Sequence, residues 1–146
     1  MPFSMDNIDN LIAKHKEAGD TARSDISNVK TQLKYLGISE DSQFGHFFTK
    51  HCITFFVSNV SNEELMDLTC PNDEIAVGTD FIREVWELPE EYICLTSCEG
   101  EGGYLYNRED GAVYDFDLAK RDDFLNGNKV VIASTFYGFI EWYLGT

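Results

Sequence analysis

Between Tyr92 and Asp117 the chain reads Y-I-C-L-T-S-C-E-G-E-G-G-Y-L-Y-N-R-E-D-G-A-V-Y-D-F-D, and no other stretch limits the possible folds as much. Tyr92 to Cys98 is β-branched and aromatic, the composition of a strand. Glu99 to Gly103 holds three glycines in five residues, so the backbone can reverse there through positive φ. Tyr104 to Tyr106 continues as a strand. Asn107-Arg108-Glu109-Asp110-Gly111 closes on an Asp-Gly pair, a hairpin signal, and Val113, Tyr114 and Phe116 carry a third strand. A lone ribbon of this kind is only marginally stable in water, so one face must be covered by something apolar.

The last part of the chain supplies a cover. Phe136, Phe139, Ile140, Tyr143 and Leu144 recur at i, i+3, i+4, i+7 and i+8, which predicts a helix with one apolar stripe. Ser134 or Thr135 can cap it, and Gly145 stops it. Val130 to Ile132 is a brief apolar strand before it. The segment Leu118–Asn128 between that strand and the meander is highly charged, and Asn126-Gly127-Asn128 within it is a turn.

Upstream, Ile26, Val29, Leu33 and Leu36 fall on one helical face, with Ser24-Asp25 as the cap and Gly37 as the stop. Ser39 to Ser42 offers caps for a second helix carrying Phe44, Phe47 and Phe48. Cys52 to Val57 is a strand candidate, and Leu65 to Leu68 a shorter one. Pro71-Asn72-Asp73 introduces a helix on which Ile75, Ile82, Val85 and Trp86 share a face, although Gly78 and Thr79 weaken it. Met5 to Glu17, with Ile8, Leu11 and Ile12, predicts a short amphipathic helix. The polar run after it sets residues 1–23 apart as a mobile arm, leaving 24–146 as one domain. The expected fold class is α+β, an antiparallel sheet packed by helices.

Bulk properties narrow the class further. Of 146 residues, 43% are hydrophobic and 14% aromatic, enough for a core and too many for a disordered chain. No run is long enough to span a bilayer, and no basic-then-apolar leader is visible, so a cytoplasmic location is expected. Cys52, Cys70, Cys94 and Cys98 then read as buried thiols, not as bridges. The formal charge is −15, with −14 of it on residues 51–146. Nucleic acid and anionic membrane would be repelled, and a basic protein attracted.

Chemistry-bearing patterns are absent. Cys94 and Cys98 are four apart in a strand, too far for one ion, and His46 and His51 project to different helical faces as surface imidazoles. The EF-hand spacing fails, since Tyr106 stands where the first ligand belongs. G-E-G-G lacks a P-loop lysine, and no nucleophile carries a recognised signature. No cofactor, no metal and no catalysis are expected.

The meander together with S-T-F-Y-G-F-I-E-W-Y-L, and Leu36-Gly37 followed by Phe44, Phe47 and Phe48, resembles the SUKH superfamily, which includes cell-wall assembly regulator-like proteins and bacterial immunity proteins. The resemblance covers roughly residues 24–146. It implies a protein that binds and neutralises a toxin, often a nuclease, without catalysis. It also leaves open a regulatory or scaffolding module. On the first reading the partner is a basic protein toxin. The candidate contact residues are then Glu99, Glu101, Glu109, Asp110, Asp115 and Asp117, at or beside the turns of the meander, with Tyr104, Tyr106 or Tyr114 as possible aromatic anchors. Solvated turn acids and core-facing tyrosines are the plain alternative for each.

Overall fold

A computed structural model describes residues 5–14, 25–53, 58, 60–69, 72–97 and 100–144. Six α-helices and four strands lie among them: α1 (Met5–Lys14), α2 (Ile26–Leu36), α3 (Gln43–Lys50), α4 (Glu74–Glu84), β1 (Tyr92–Cys94), β2 (Gly102–Asn107), β3 (Val113–Asp117), α5 (Arg121–Leu125), β4 (Val130–Ala133) and α6 (Phe136–Leu144). A 3-10 turn at Leu118–Lys120 leads into α5. The chain is α+β, and the four strands among the described residues form an antiparallel sheet in the order β1-β2-β3-β4. None of the described helices is long and apolar enough to cross a membrane.

The meander forms with Ile93 opposite Tyr106 and Leu105 opposite Tyr114. Strand side chains alternate between faces, and here both faces are covered. Ile93, Tyr104, Tyr106 and Val113 face a core shared with α1, α2, α3 and α6. Tyr92, Cys94, Leu105, Tyr114 and Phe116 face a second core, closed by Ile82, Trp86 and Leu88 around the end of α4 and by Phe124 of α5. Burial on both sides explains why the strands read as near-continuous aromatic runs. It also places Tyr104, Tyr106 and Tyr114 largely in the interior, each no more than 8% exposed, as core-facing tyrosines.

The helices follow the expected stripes. All five apolar positions of α6 are buried, and Phe136 and Phe139 meet Tyr106 and Tyr104 edge-on at 5.6 Å between centroids. Each such side chain contributes about 1.5–3 kcal/mol by leaving water. Thr135 Oγ1 accepts the Gly138 N–H at 3.0 Å and caps the helix. Ser42 caps α3 by accepting the Gly45 N–H at 3.0 Å. Gly37 ends α2 with φ at +72°, a left-handed conformation suited to glycine. Arg108, from the β2–β3 turn, donates to the Leu36 carbonyl at 2.7 Å and ties that helix end to the sheet.

Gly78 and Thr79, which weaken α4 as a sequence, are where α4 meets the sheet. A Cβ on Gly78 would stand 3.3 Å from Cys94 Sγ, so the glycine lets the helix approach β1. Thr79 Oγ1 accepts the Cys94 N–H at 3.0 Å, doing at this edge what a neighbouring strand would do. Beyond it, Met66 N–H donates to the Leu95 carbonyl at 2.9 Å, and Leu65 bridges Thr96. The strand expected at Leu65–Leu68 is reduced to that bridge.

Other expectations change in detail. Helix α4 ends at Glu84, so Val85 leaves the apolar face and is 58% exposed, while Ile75, Ile82 and Trp86 stay buried. The charged segment after Asp117, to which the sequence assigned no helix, contains α5, whose Phe124 is buried against Tyr92, Tyr114 and Phe116. His51 is buried, with Nε2 at 2.8 Å from Asp9 Oδ1, in place of the expected surface imidazole. Lys50 Nζ reaches the other Asp9 oxygen at 2.6 Å. Ile8, Leu11 and Ile12 of α1, assigned by the sequence to an arm, belong to the main core. Cys94 is buried, while Cys70, Cys98 and most of the Cys52–Val57 strand candidate lie outside the described residues.

Candidate functional site

Of the six carboxylates singled out from the sequence, the five that lie among the described residues sit at two ends of the sheet. Glu99 lies outside the described residues. Glu101 precedes β2, and its carbonyl accepts the Leu118 N–H at 2.7 Å, which puts it beside the end of β3. Asp115 and Asp117 are exposed on β3 near that same end. Glu109 and Asp110 sit in the β2–β3 turn at the other end of the sheet, a strand length of roughly 15 Å away.

Two of these acids are occupied locally. Asp110 accepts the Ala112 N–H at 2.8 Å and the Tyr114 hydroxyl at 2.6 Å, so it builds the turn. The hydrogen bond to Asp110, aided by burial, pushes the Tyr114 phenol up to about 12. Asp117 accepts the Ala119 N–H at 3.0 Å and caps the 3-10 turn. Asp115 and Asp117 share a hollow of about 330 Å³ with Asp123, Lys120 and Asn128. Among the described residues, no three His, Cys, Asp or Glu side chains are grouped to hold a metal ion.

The excess negative charge lies elsewhere. Residues 63–91 carry ten Asp or Glu and one Arg, whereas residues 101–146 carry eight acids and four bases. Three acids of the first group hold the fold together. Asp67, 1% exposed, accepts the Ile53 N–H at 3.0 Å and the Thr69 N–H at 3.1 Å. Asp73 accepts from Asn28 at 3.1 Å, and both oxygens of Asp80 lie 2.9 Å from the Tyr35 hydroxyl. Glu63, Glu64, Glu84, Glu87 and Glu90 are exposed, and Glu74 half-buried, around α4.

Between α4 and the Glu64–Met66 segment runs a cleft of about 480 Å³. Leu65, Met66, Val77 and Phe81 supply its apolar lining, and Glu64, Glu74 and Ser97 its polar lining. Gly78 keeps part of its lining free of a side chain. Val77 is 64% exposed, unusual for valine on a helix packed against a sheet. An apolar trough beside carboxylates suits a segment that is itself apolar on one side and cationic on the other.

Sequence reasoning passed over this site because it took charge by half-chains and followed the turns. The signal was present: a window of 29 residues with a single basic side chain, centred on a predicted helix. The exposure of Val77 had no such signal, since its position on α4 depends on where Gly78 contacts β1. No family model matches the chain, and no curated protein matches its sequence.

Proposed function

We infer that this chain is a binding protein that holds a basic segment of a partner protein in the cleft between α4 and Glu64–Met66, and catalyses nothing there. The observation that carries the reading is the coincidence of an exposed apolar trough with the most acidic stretch of the chain. Long-range attraction would speed encounter with a basic partner, and burial of Val77, Met66 and Phe81 would slow its departure. The resemblance to the SUKH superfamily supports a narrower form: a cytoplasmic immunity protein whose partner is a toxin, and in particular a nuclease with a basic substrate-binding surface.

The test is binding to a basic protein that co-purifies with this chain from its own cells, measured at low and physiological salt. Association should slow as salt rises. Glu64→Gln with Glu74→Gln should slow association further, and Val77→Asp should speed dissociation. Glu109→Gln, at the far end of the sheet, should change neither rate. Binding that ignores salt and the α4 substitutions, but is lost on neutralising Glu101, Asp115 and Asp117, would refute the assignment and return the contact to the meander.

A further inference from the structure

Three aromatic rings close around one cation on the second face of the sheet. Lys129 Nζ lies over the rings of Tyr92, Tyr114 and Phe124, at 5.3, 5.5 and 5.6 Å from their centroids. The three rings belong to β1, β3 and α5. Tyr92 is inclined at 77° to Tyr114 and 59° to Phe124, and Tyr114 at 87° to Phe124. They therefore form the walls of a box and not a stack. Ring faces carry negative potential, so three faces turned on one point make a receptor for a positive group with a greasy surface.

Two details fit that role. The Tyr114 hydroxyl donates to the Asp110 carboxylate at 2.6 Å, which enriches the Tyr114 ring in electron density. The rings are held rigidly, since all three belong to the buried second core. Lys129, by contrast, is an exposed residue following the Asn126-Gly127-Asn128 turn. That turn is fastened through Asn128 N–H to the Asp123 carbonyl at 2.9 Å. Lys129 can thus leave by rotating its own flexible stem, with no movement of the main chain.

We propose that the Tyr92–Tyr114–Phe124 box is a binding site for alkylammonium groups, and that Lys129 is its built-in occupant, displaced when an external cation enters. The inference is independent of the α4 cleft. An occupant that fills the box about nine-tenths of the time lowers the apparent affinity for a competitor about tenfold. Emptying the box should restore that factor. A lysine that only pins the start of β4 predicts no such gain.

The experiment titrates the folded chain with choline and, separately, with Nα-acetyl-lysine methylamide. Sodium chloride at equal ionic strength is the control, and the ring resonances of Tyr92, Tyr114 and Phe124 are followed by NMR. Lys129→Ala should bind at least one of the two ligands about tenfold more tightly than the natural chain. Lys129→Gln should do the same, and serves if alanine disturbs the turn. Phe124→Leu added to either variant, or Tyr114→Leu where the first does not fold, should abolish the gain. A larger gain for the capped lysine identifies a protein side chain as the ligand; a larger gain for choline identifies a small free cation. No gain for either ligand in either Lys129 variant, or a gain that survives loss of an aromatic wall, overturns the proposal.

Discussion

Replacing Gly45 by alanine should destabilise the protein by about 2 kcal/mol, although alanine at a helical glycine ordinarily helps by about 1 kcal/mol. Gly45 lies in the first turn of α3. A Cβ there would stand 2.4 Å from the Ser39 carbonyl oxygen and 2.8 Å from Glu40 Cα, both main-chain atoms. The first distance is about 0.6 Å inside the closest approach such contacts tolerate. The Ser39–Ser42 loop cannot yield freely, because the Ser42 hydroxyl donates to the Ser39 carbonyl at 2.6 Å while accepting the Gly45 N–H. Overpacking costs about 1–3 kcal/mol, and loss of the Ser42 cap about 1 kcal/mol. Set against the propensity gain, the net cost is about 1–3 kcal/mol. Gly78 is the internal comparison. Its added Cβ would meet the flexible end of Met66 at 3.2 Å and Cys94 Sγ at 3.3 Å. Slight crowding there offsets the same helix gain, so Gly78→Ala should fall within about 1 kcal/mol of the natural chain. Urea denaturation reads both. With a slope of about 1.5 kcal/mol/M, Gly45→Ala should lower the midpoint by about 1–2 M and Gly78→Ala should barely move it. A Gly45→Ala midpoint at or above the natural one would refute the packing described for α3.

Phe124→Ala should cost about 3 kcal/mol by the same assay, since it removes the aromatic side chain that docks α5 on Tyr92, Tyr114 and Phe116. Asp122→Ala, two residues away on the solvent side of α5, should stay within about 0.5 kcal/mol; a cost for Phe124→Ala below about 1 kcal/mol would mean that α5 is not docked. Tyr114 retains its proton to a higher pH folded than unfolded, so its contribution is fully present below pH 10 and is lost as pH rises towards about 12. Asp110→Ala should abolish the tyrosine titration near 12 in ultraviolet absorbance; if the transition persists unchanged, the hydrogen bond is not its cause.

How much of this was legible depends on how locally each element is encoded. The meander and α6 were readable because turn glycines and stripes at i, i+3 and i+4 lie within one window of sequence. The register of Tyr104 and Tyr106 against α6 follows once both are placed. Helix α5 was not readable, because one phenylalanine among lysine, arginine and aspartate has no period of its own; its burial comes from aromatic partners on β1 and β3. Val85 was misplaced because α4 ends at Glu84, one residue before the stripe would have continued. His51 and Asp9 are more than forty residues apart, and no local pattern joins them. The predicted contact acids were found at turns, as expected of acids in general. Turns at opposite ends of a sheet diverge in space, however, and only the register of β2 on β3 makes that visible.

The packing of α1 and α6 into one core bears on how the chain is made. Ile8, Leu11 and Ile12 are synthesised more than a hundred residues before their neighbours in α6. At a synthesis rate of roughly 5–20 residues per second the early helix waits for several seconds. Between the synthesis of β3 and that of α6, Tyr104 and Tyr106 lack the cover of Phe139 and Phe136, although α2 and α3 are already made. A translational pause just before Phe136 would lengthen the exposure, and the yield of native protein in a cell short of chaperones should fall with it.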